Sequence, residues 1–257
     1  ILIEYNNDIA TVRHNITSEY FNVNVNGADV EIISEASIEG LQYYLSGSTN
    51  NGSFSLESDM PYDVILNNTE ITSLTNVPLN LSKNVERNII IANGTTNILS
   101  DSEDSDGKAV INSKGATNIS GFGSLTINAN KKHGISSDND INIDGATISI
   151  NHSADASKGL KSDCNIMITD GDVNIVSSGT LTLEALDLGY DATYCTSIGA
   201  DGNFEMRGGK LNITLPVSNE AGRGIKTDGD ISISGGEINI VSHSGGDTYT
   251  NSDGEID

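Results

Sequence analysis

One pattern recurs four times in the second half of this chain: GISSDNDINIDGATISI from Gly134, GLKSDCNIMITDGDVNI from Gly159, SIGADGNFEMRGGKLNI from Ser197 and GIKTDGDISISGGEINI from Gly224. The anchors Ile135, Leu160, Ile198 and Ile225 lie 25, 38 and 27 residues apart, and the long interval holds an insertion from about Ser177 to Thr196. Each repeat contains three short runs that alternate apolar and polar residues, such as Ile135/Ser137, Ile141/Ile143 and Ile148/Ile150. Corners such as Asp144-Gly145 and Gly235-Gly236 separate the second run from the third. A strand this short and one-sided buries its apolar face only against copies of itself. The repeat therefore coils, equivalent strands stack in parallel at ~4.8 Å, and the Ile side chains form ladders inside a tube. The expected fold class is all-β, a right-handed parallel β-helix with three-strand coils of about 25 residues. Its handedness extends the rule for parallel crossovers. A sandwich or jelly roll is the competing all-β reading, but neither demands in-register copies of one motif.

Weaker copies extend the period upstream: Val64/Leu66 and Ile89/Ile91 are 25 residues apart, as are Leu56 and Leu81, and Val110-Ile111 to Ile127 supplies another turn. Residues 1–50 fit the period poorly and are expected to form an irregular first coil or cap that protects the open edge, continuous with a β-helix over 51–257. At the other end, Asn251-Ser252-Asp253-Gly254-Glu255-Ile256 repeats Lys226-Thr227-Asp228-Gly229-Asp230-Ile231 at an offset of 25. A nascent coil is expected there. It would make the chain a fragment and leave a parallel edge open to end-to-end self-association.

Composition agrees with this architecture. Ile outnumbers Leu by 32 to 17, and Asn, Ser, Thr and Gly replace the helix formers. With 13 basic against 36 acidic residues the net charge is −23, which disfavours nucleic acid and anionic membrane surfaces as partners. No apolar run approaches the ~20 residues of a membrane span. Ile1 in place of Met, with no basic-then-apolar leader, means that any signal peptide has been removed or lies outside this sequence.

The corners after the first and second strands keep nearly constant length. The connection after the third varies, from 128–133 through 151–158 to 177–196 and 214–223, so length variation falls on one edge of the tube. Such an edge marks a working face, or simply a corner that tolerates length. Two aligned columns stand out. Asp138, Asp163, Asp201, Asp228 and Asp253 follow the first strand. Like charges ~5 Å apart repel by roughly 1 kcal/mol in water. Backbone N–H groups in an Asx-turn, Lys neighbours or Ca²⁺ would each compensate. The second column, two residues before each anchor, is His133, Lys158, Thr196 and Arg223; with Lys131, Lys132, Lys161 and Lys226 it forms a local basic stripe. The stripe either pairs with the Asp ladder or grips an extended polyanion such as a uronic-acid polysaccharide.

A third acidic group, Asp101, Glu103, Asp104 and Asp106, resembles part of a calcium loop, although Ser113 stands where the bidentate Glu of an EF-hand belongs. Walker, His-rich and Gly-x-Ser-x-Gly motifs are absent from the sequence. Cys164 and Cys195 can meet only if the insertion folds back. The eight Asn-x-Ser/Thr sequons are about what this composition yields by chance.

The recurring GIKS/TDxDI, strand, Gly-Gly corner, strand resembles a family of secreted bacterial carbohydrate-binding right-handed β-helix proteins, non-catalytic fold relatives of the pectate lyases. Glu19-Tyr20, Tyr44 to Gly47 and Asp63 to Thr72 resemble that family's entry region, so the likeness runs from about Ile9 to the C-terminus. It implies a secreted or cell-surface protein associated with calcium and polygalacturonate. Family repeats commonly read Gly-Asp-Gly-Ile-Lys. Here that Asp is replaced by His133, Lys158, Thr196 and Arg223, while the later Asp persists at Asp138, Asp163, Asp201 and Asp228.

Three functions compete. The first is non-catalytic binding of acidic glycans, with Lys132, His133, Lys158, Lys161, Arg223 and Lys226 gripping carboxylates and Tyr190 or Tyr194 stacking on sugar rings. Calcium would sit on Asp138, Asp163, Asp201 and Asp228, or on the Asp101, Glu103, Asp104, Asp106 run. The second is a calcium-dependent lyase with Lys158, Lys161, Arg223 or Lys226 as base. The third is a structural or adhesive module. No base has an environment distinct in sequence from its repeated neighbours, which favours binding.

Overall fold

Alternating sequence becomes alternating burial. Every regular element among the described residues is a β-strand, and the computed structural model describes all residues except Ala36, Asp247 and Asp257. The fold is a parallel β-solenoid. On its first face the strands Asp29–Ser34, Ser53–Ser58, Leu79–Leu81, Ala109–Ser113, His133–Ser137, Lys158–Ser162, Thr196–Ala200 and Arg223–Thr227 pair in that order, all parallel. Register places Val30, Phe54, Leu79, Ile111, Ile135, Leu160, Ile198 and Ile225 in one inward ladder. All are buried except Ile225, which is partly covered.

The second and third faces belong to a single 16-stranded sheet. They merge because the strand Tyr62–Ser73 runs through a corner, pairing with Arg87–Ile91 along its first half and with Thr96–Asp101 along its second. Periodicity alone showed only Val64 and Leu66 of that strand. Inward positions of the second face carry Ile89, Ile119, Ile141, Ile166 and Phe204, and those of the third carry Leu99, Ile127, Ile150, Ile175 and Ile213, all buried. Where the third connection enters the first face, side chains from two faces crowd together. A Cβ at Gly134 would lie 2.6 Å from Ile150 Cγ2, and one at Gly159 2.8 Å from Ile175 Cγ2. Glycine at these corners lets the tube close.

Before residue 51 the chain forms two antiparallel hairpins, Leu2–Asn6 with Ile9–Arg13 and Phe21–Asn26 with Asp29–Ser34, which blunt the first edge. Parallel register nevertheless begins upstream, since Leu2–Asn6 pairs with Leu41–Thr49 and the latter with Tyr62–Ser73. At the other end the outcome differs from expectation. Asn251 bridges Tyr190 and Thr250 bridges Ile256, so the repeat-like segment folds against the insertion and the described residues show no pairing of it with Arg223–Thr227. The last rung is accordingly open, with Ile231, Ile233 and Ile240 exposed.

The largest fully buried side chain is a charged one. Arg87 is fully buried, 5.7 Å over the Tyr62 ring, and donates to the Leu81 carbonyl at 2.9 Å, Ser113 Oγ at 2.6 Å, the Val85 carbonyl at 2.5 Å and the Lys83 carbonyl. It satisfies the carbonyls of a corner turned inward, without a carboxylate. Burial lowers its pKa. Replacing Arg87 by Met strips these acceptors of their donor, and a loss of about 3 kcal/mol in denaturant unfolding is expected. Wild-type stability of that variant would show that the corner carbonyls are satisfied without the guanidinium.

Candidate functional site

The two columns meet on the outer surface of the first face and behave differently. At three of the four corners the turn amide is capped by the Ser or Thr that precedes the Asp; at the fourth, where Ala200 precedes Asp201, the Gly202 N–H donates to the Cys164 carbonyl instead. Ser137 Oγ accepts the Asn139 N–H at 3.1 Å, Ser162 Oγ the Cys164 N–H at 3.0 Å and Thr227 Oγ1 the Gly229 N–H at 3.1 Å. The Asp side chains are therefore left outward, and lysines compensate them. Lys114 pairs with Asp138 at 3.2 Å, Lys161 with Asp163, and Lys226 with Asp228, whereas Asp201 has no ion pair among the described residues. The Asp column is compensated by protein cations on three of these four rungs. Lys114 was not singled out in the sequence, because it lies one rung before its partner.

Among the described residues no three His, Cys, Asp or Glu side chains converge to hold a metal ion. The acidic run is also dispersed. Asp101 turns inward, its Oδ1 accepting the Asn130 N–H at 2.6 Å and the Lys131 N–H at 3.3 Å, while its Oδ2 is buried without a partner. Burial raises the Asp101 pKa, opposed by those two N–H donors. Glu103 offers its backbone carbonyl to Lys131 Nζ. The Asp104 N–H donates to Ser102 Oγ. Asp106 faces a polar cleft of about 460 Å³ shared with Asp29, Glu31, Asn76 and Asn80 and lined by no cation.

The basic column is where the chain keeps free charge. Of the thirteen Lys and Arg residues, seven form ion pairs, Arg87 is spent on carbonyls and Lys131 on another. The remaining four, Lys108, Lys132, Lys158 and Arg223, have no such partner among the described residues, and all lie where the third connection enters the first face. Register aligns them: Ala109 stacks on His133, Lys158 on Thr196 and Thr196 on Arg223. At ~4.8 Å per rung the row extends over about 19 Å. Lys108 was not recognised from sequence, although it precedes its coil as Lys132 precedes the next.

Lys158 is half-buried and lies across Gly199, where a Cβ would come within 2.7 Å of its Cδ. Burial lowers its pKa, and the neighbouring Lys161 and Lys226 add to this while Asp201 and Asp163 oppose it. His133 is not a surface cation. It is buried, its Nδ1 accepts the Lys158 N–H at 2.9 Å, and burial together with Lys132, Lys158 and Lys161 lowers its pKa to about 3. It is neutral and acts as a strut beneath the row. Tyr194, at the end of the insertion, comes to Arg223, whose guanidinium sits 3.4 Å over the ring centroid. Tyr190 lies further out, in the hairpin formed by Thr182–Ala185 and Tyr190–Thr193, where its N–H donates to the Thr250 carbonyl.

The insertion is pinned from below. His152 Nδ1 lies 2.6 Å from Ser157 Oγ and Nε2 2.6 Å from Ser177 Oγ, which in turn is 2.5 Å from Ser197 Oγ. Because Ser157 Oγ donates to the Ala154 carbonyl, Nδ1 is the protonated nitrogen and Nε2 the acceptor. Cys195 is buried against this network, its thiol pKa raised by burial, and both it and Cys164 are free thiols.

A row of exposed and half-buried cations without ion pairs among the described residues, on the variable edge of an acidic parallel β-solenoid, marks this chain as a repeat protein with a local basic stripe. The family model described as carbohydrate-binding domain-containing protein matches residues 26–257, and the chain belongs to that family. A carbohydrate-binding domain-containing protein of Acetivibrio thermocellus is 28% identical over 141 residues, 50% of this chain and 49% of that protein. The chain thus matches about half the length of this curated relative. Among solved structures, a polysaccharide lyase-like protein from C. thermocellum, determined as a gadolinium derivative, aligns with a TM-score of 0.63 at 20% identity. That alignment covers 95% of this chain and 98% of the other and bears on fold alone.

Proposed function

We propose that this chain is a non-catalytic module, acting outside the cell or at its surface, that binds acidic polysaccharide along the edge where the third connection meets the first face. The observation that carries the reading is the row Lys108, Lys132, Lys158 and Arg223, without ion pairs among the described residues of a chain of net charge −23. With nearly three acids per base, charge neutralisation within the chain would claim these side chains first. Protein and polyanion repel at long range, so the grip is local and salt-sensitive. Calcium bridging is the alternative source of attraction, but Asp138, Asp163 and Asp228 are already paired with lysines. Within this column Asp201 and the ligand's own carboxylates are what is left for a shared cation to hold.

Affinity electrophoresis in polygalacturonate gels tests this. Retarded migration is expected for the wild type, insensitive to chelator and weakened by NaCl. The combined change Lys108→Ala, Lys132→Ala, Lys158→Ala and Arg223→Ala should abolish it. Loss of retardation on chelation would transfer the grip to calcium, and unretarded wild type in every condition would favour a structural module. The depressed pKa of Lys158 favours a second reading, a lyase with Lys158 as the general base. Unsaturated products, detected by absorbance with wild type and absent with Lys158→Ala, would establish it.

A further inference from the structure

Four cations share the row, and Arg223 is the one whose charged group rests on an aromatic ring among the described residues. The three lysines end in ammonium groups on flexible stems. Arg223 lies with its Cζ 3.4 Å from the centroid of the Tyr194 ring. Tyr194 is itself fixed: its hydroxyl is 2.6 Å from that of Tyr249, and its carbonyl accepts from Thr196 Oγ1 at 3.2 Å. The Arg223 backbone is tied to the same segment, its N–H donating to the Cys195 carbonyl at 3.0 Å. A guanidinium stacked on an aromatic face keeps its N–H groups in the plane of the fork, directed away from the ring edge. That geometry matches the two oxygens of a carboxylate.

We propose that Tyr194, braced by Tyr249, is a positioning residue that makes Arg223 the carboxylate-reading group of the site, while the lysines supply undirected attraction. The ligand unit read here is a sugar carrying a planar carboxylate, a uronate. The proposal rests on the acidic-polysaccharide reading and deepens it by dividing the row into one oriented contact and three point charges. The insertion and the C-terminal segment, which meet through Tyr194–Tyr249 and through the Tyr190–Asn251 bridge, gain a common purpose as the wall that holds this fork.

The test is isothermal titration of the folded full chain with an oligogalacturonate and with its methyl ester, repeated across a salt series. Arg223→Lys keeps the charge, so an undirected role predicts no change; the fork predicts about tenfold weaker binding, the scale of one charge-assisted hydrogen bond, with unchanged salt dependence. Tyr194→Leu should lose a similar factor although Arg223 remains, and Tyr194→Phe, which keeps the stacking face and gives up only the hydroxyl contact with Tyr249, should recover most of it. Lys108→Ala with Lys132→Ala should flatten the salt dependence instead. The neutral ester should respond to none of the Arg223 or Tyr194 changes. Wild-type affinity for oligogalacturonate in Arg223→Lys, or equal losses in Tyr194→Leu and Tyr194→Phe, overturns the inference with the acidic-glycan reading intact. Absence of binding by the wild type brings down that reading itself.

Discussion

Leu160→Asp is expected to leave the chain unfolded. Leu160 is fully buried in the first-face ladder between Ile135 and Ile198, enclosed by side chains of the other two faces. A carboxylate there costs several kcal/mol after relaxation, a large part of the ~5–15 kcal/mol that holds a folded protein together. Coils above and below are coupled through every ladder, so one failed rung divides the stack. Leu160→Ala, a cavity without a charge, should cost about 2–5 kcal/mol and remain folded. Ile225 occupies the same column but on the open last rung, only partly covered. Ile225→Asp should therefore lower the melting temperature modestly. Circular dichroism and thermal melts of the three variants check this, and a cooperative wild-type melt for Leu160→Asp would contradict it.

Acid should destabilise the protein through two buried imidazoles. Burial lowers the His152 pKa to about 4 and, with the nearby lysines, the His133 pKa to about 3, from the usual 6.5. The unfolded chain takes up these protons as pH falls through about 6.5, whereas the folded chain resists until each folded pKa is reached. Stability therefore declines from pH 6.5 downward and levels only below about 4 for His152 and 3 for His133. At 1.36 kcal/mol per unit the combined effect is on the order of 5 kcal/mol or more. Asp101 opposes it in part, since its raised pKa lets the folded state accept a proton more readily than the unfolded chain. Melting temperatures from pH 7.5 to 4 should fall steeply, and His152→Gln should lose part of that slope, whatever its stability at pH 7.5. An unchanged slope in the variant would place the acid sensitivity elsewhere. His152 underlies the insertion that carries Tyr194, so local loosening of that hairpin should precede global melting in hydrogen exchange.

Sequence periodicity was legible where it controlled side-chain direction. The four anchors stack as their spacing implied, as do Leu56 on Leu81, Val64 on Ile89 and Leu66 on Ile91. The edge carrying the length variation is where the free cations lie. Other parts were hidden because they depend on contacts between positions with no fixed spacing. Arg87 serves carbonyls at an inward corner, three first-face corners are capped by Ser137, Ser162 and Thr227 ahead of the aspartates, and Asn251 of the repeat-like C-terminal segment bridges Tyr190 of the insertion.

His133 and Lys158 show the division most plainly. Both were read as members of one basic column, and register does stack their rungs. A column of sequence-equivalent positions specifies where each Cα lies along the tube, since parallel pairing at one spacing follows from the repeat itself. Whether a side chain at such a position is a cation in solvent or a neutral group inside depends on what the neighbouring rung provides. Gly199 leaves room for the Lys158 stem to lie outward, while the Lys158 amide and the lysines around His133 hold its imidazole buried and uncharged. The sequence alone determined the stack and the edge that carries its length variation; the packing of unlike rungs decided which residues on that edge remain charged.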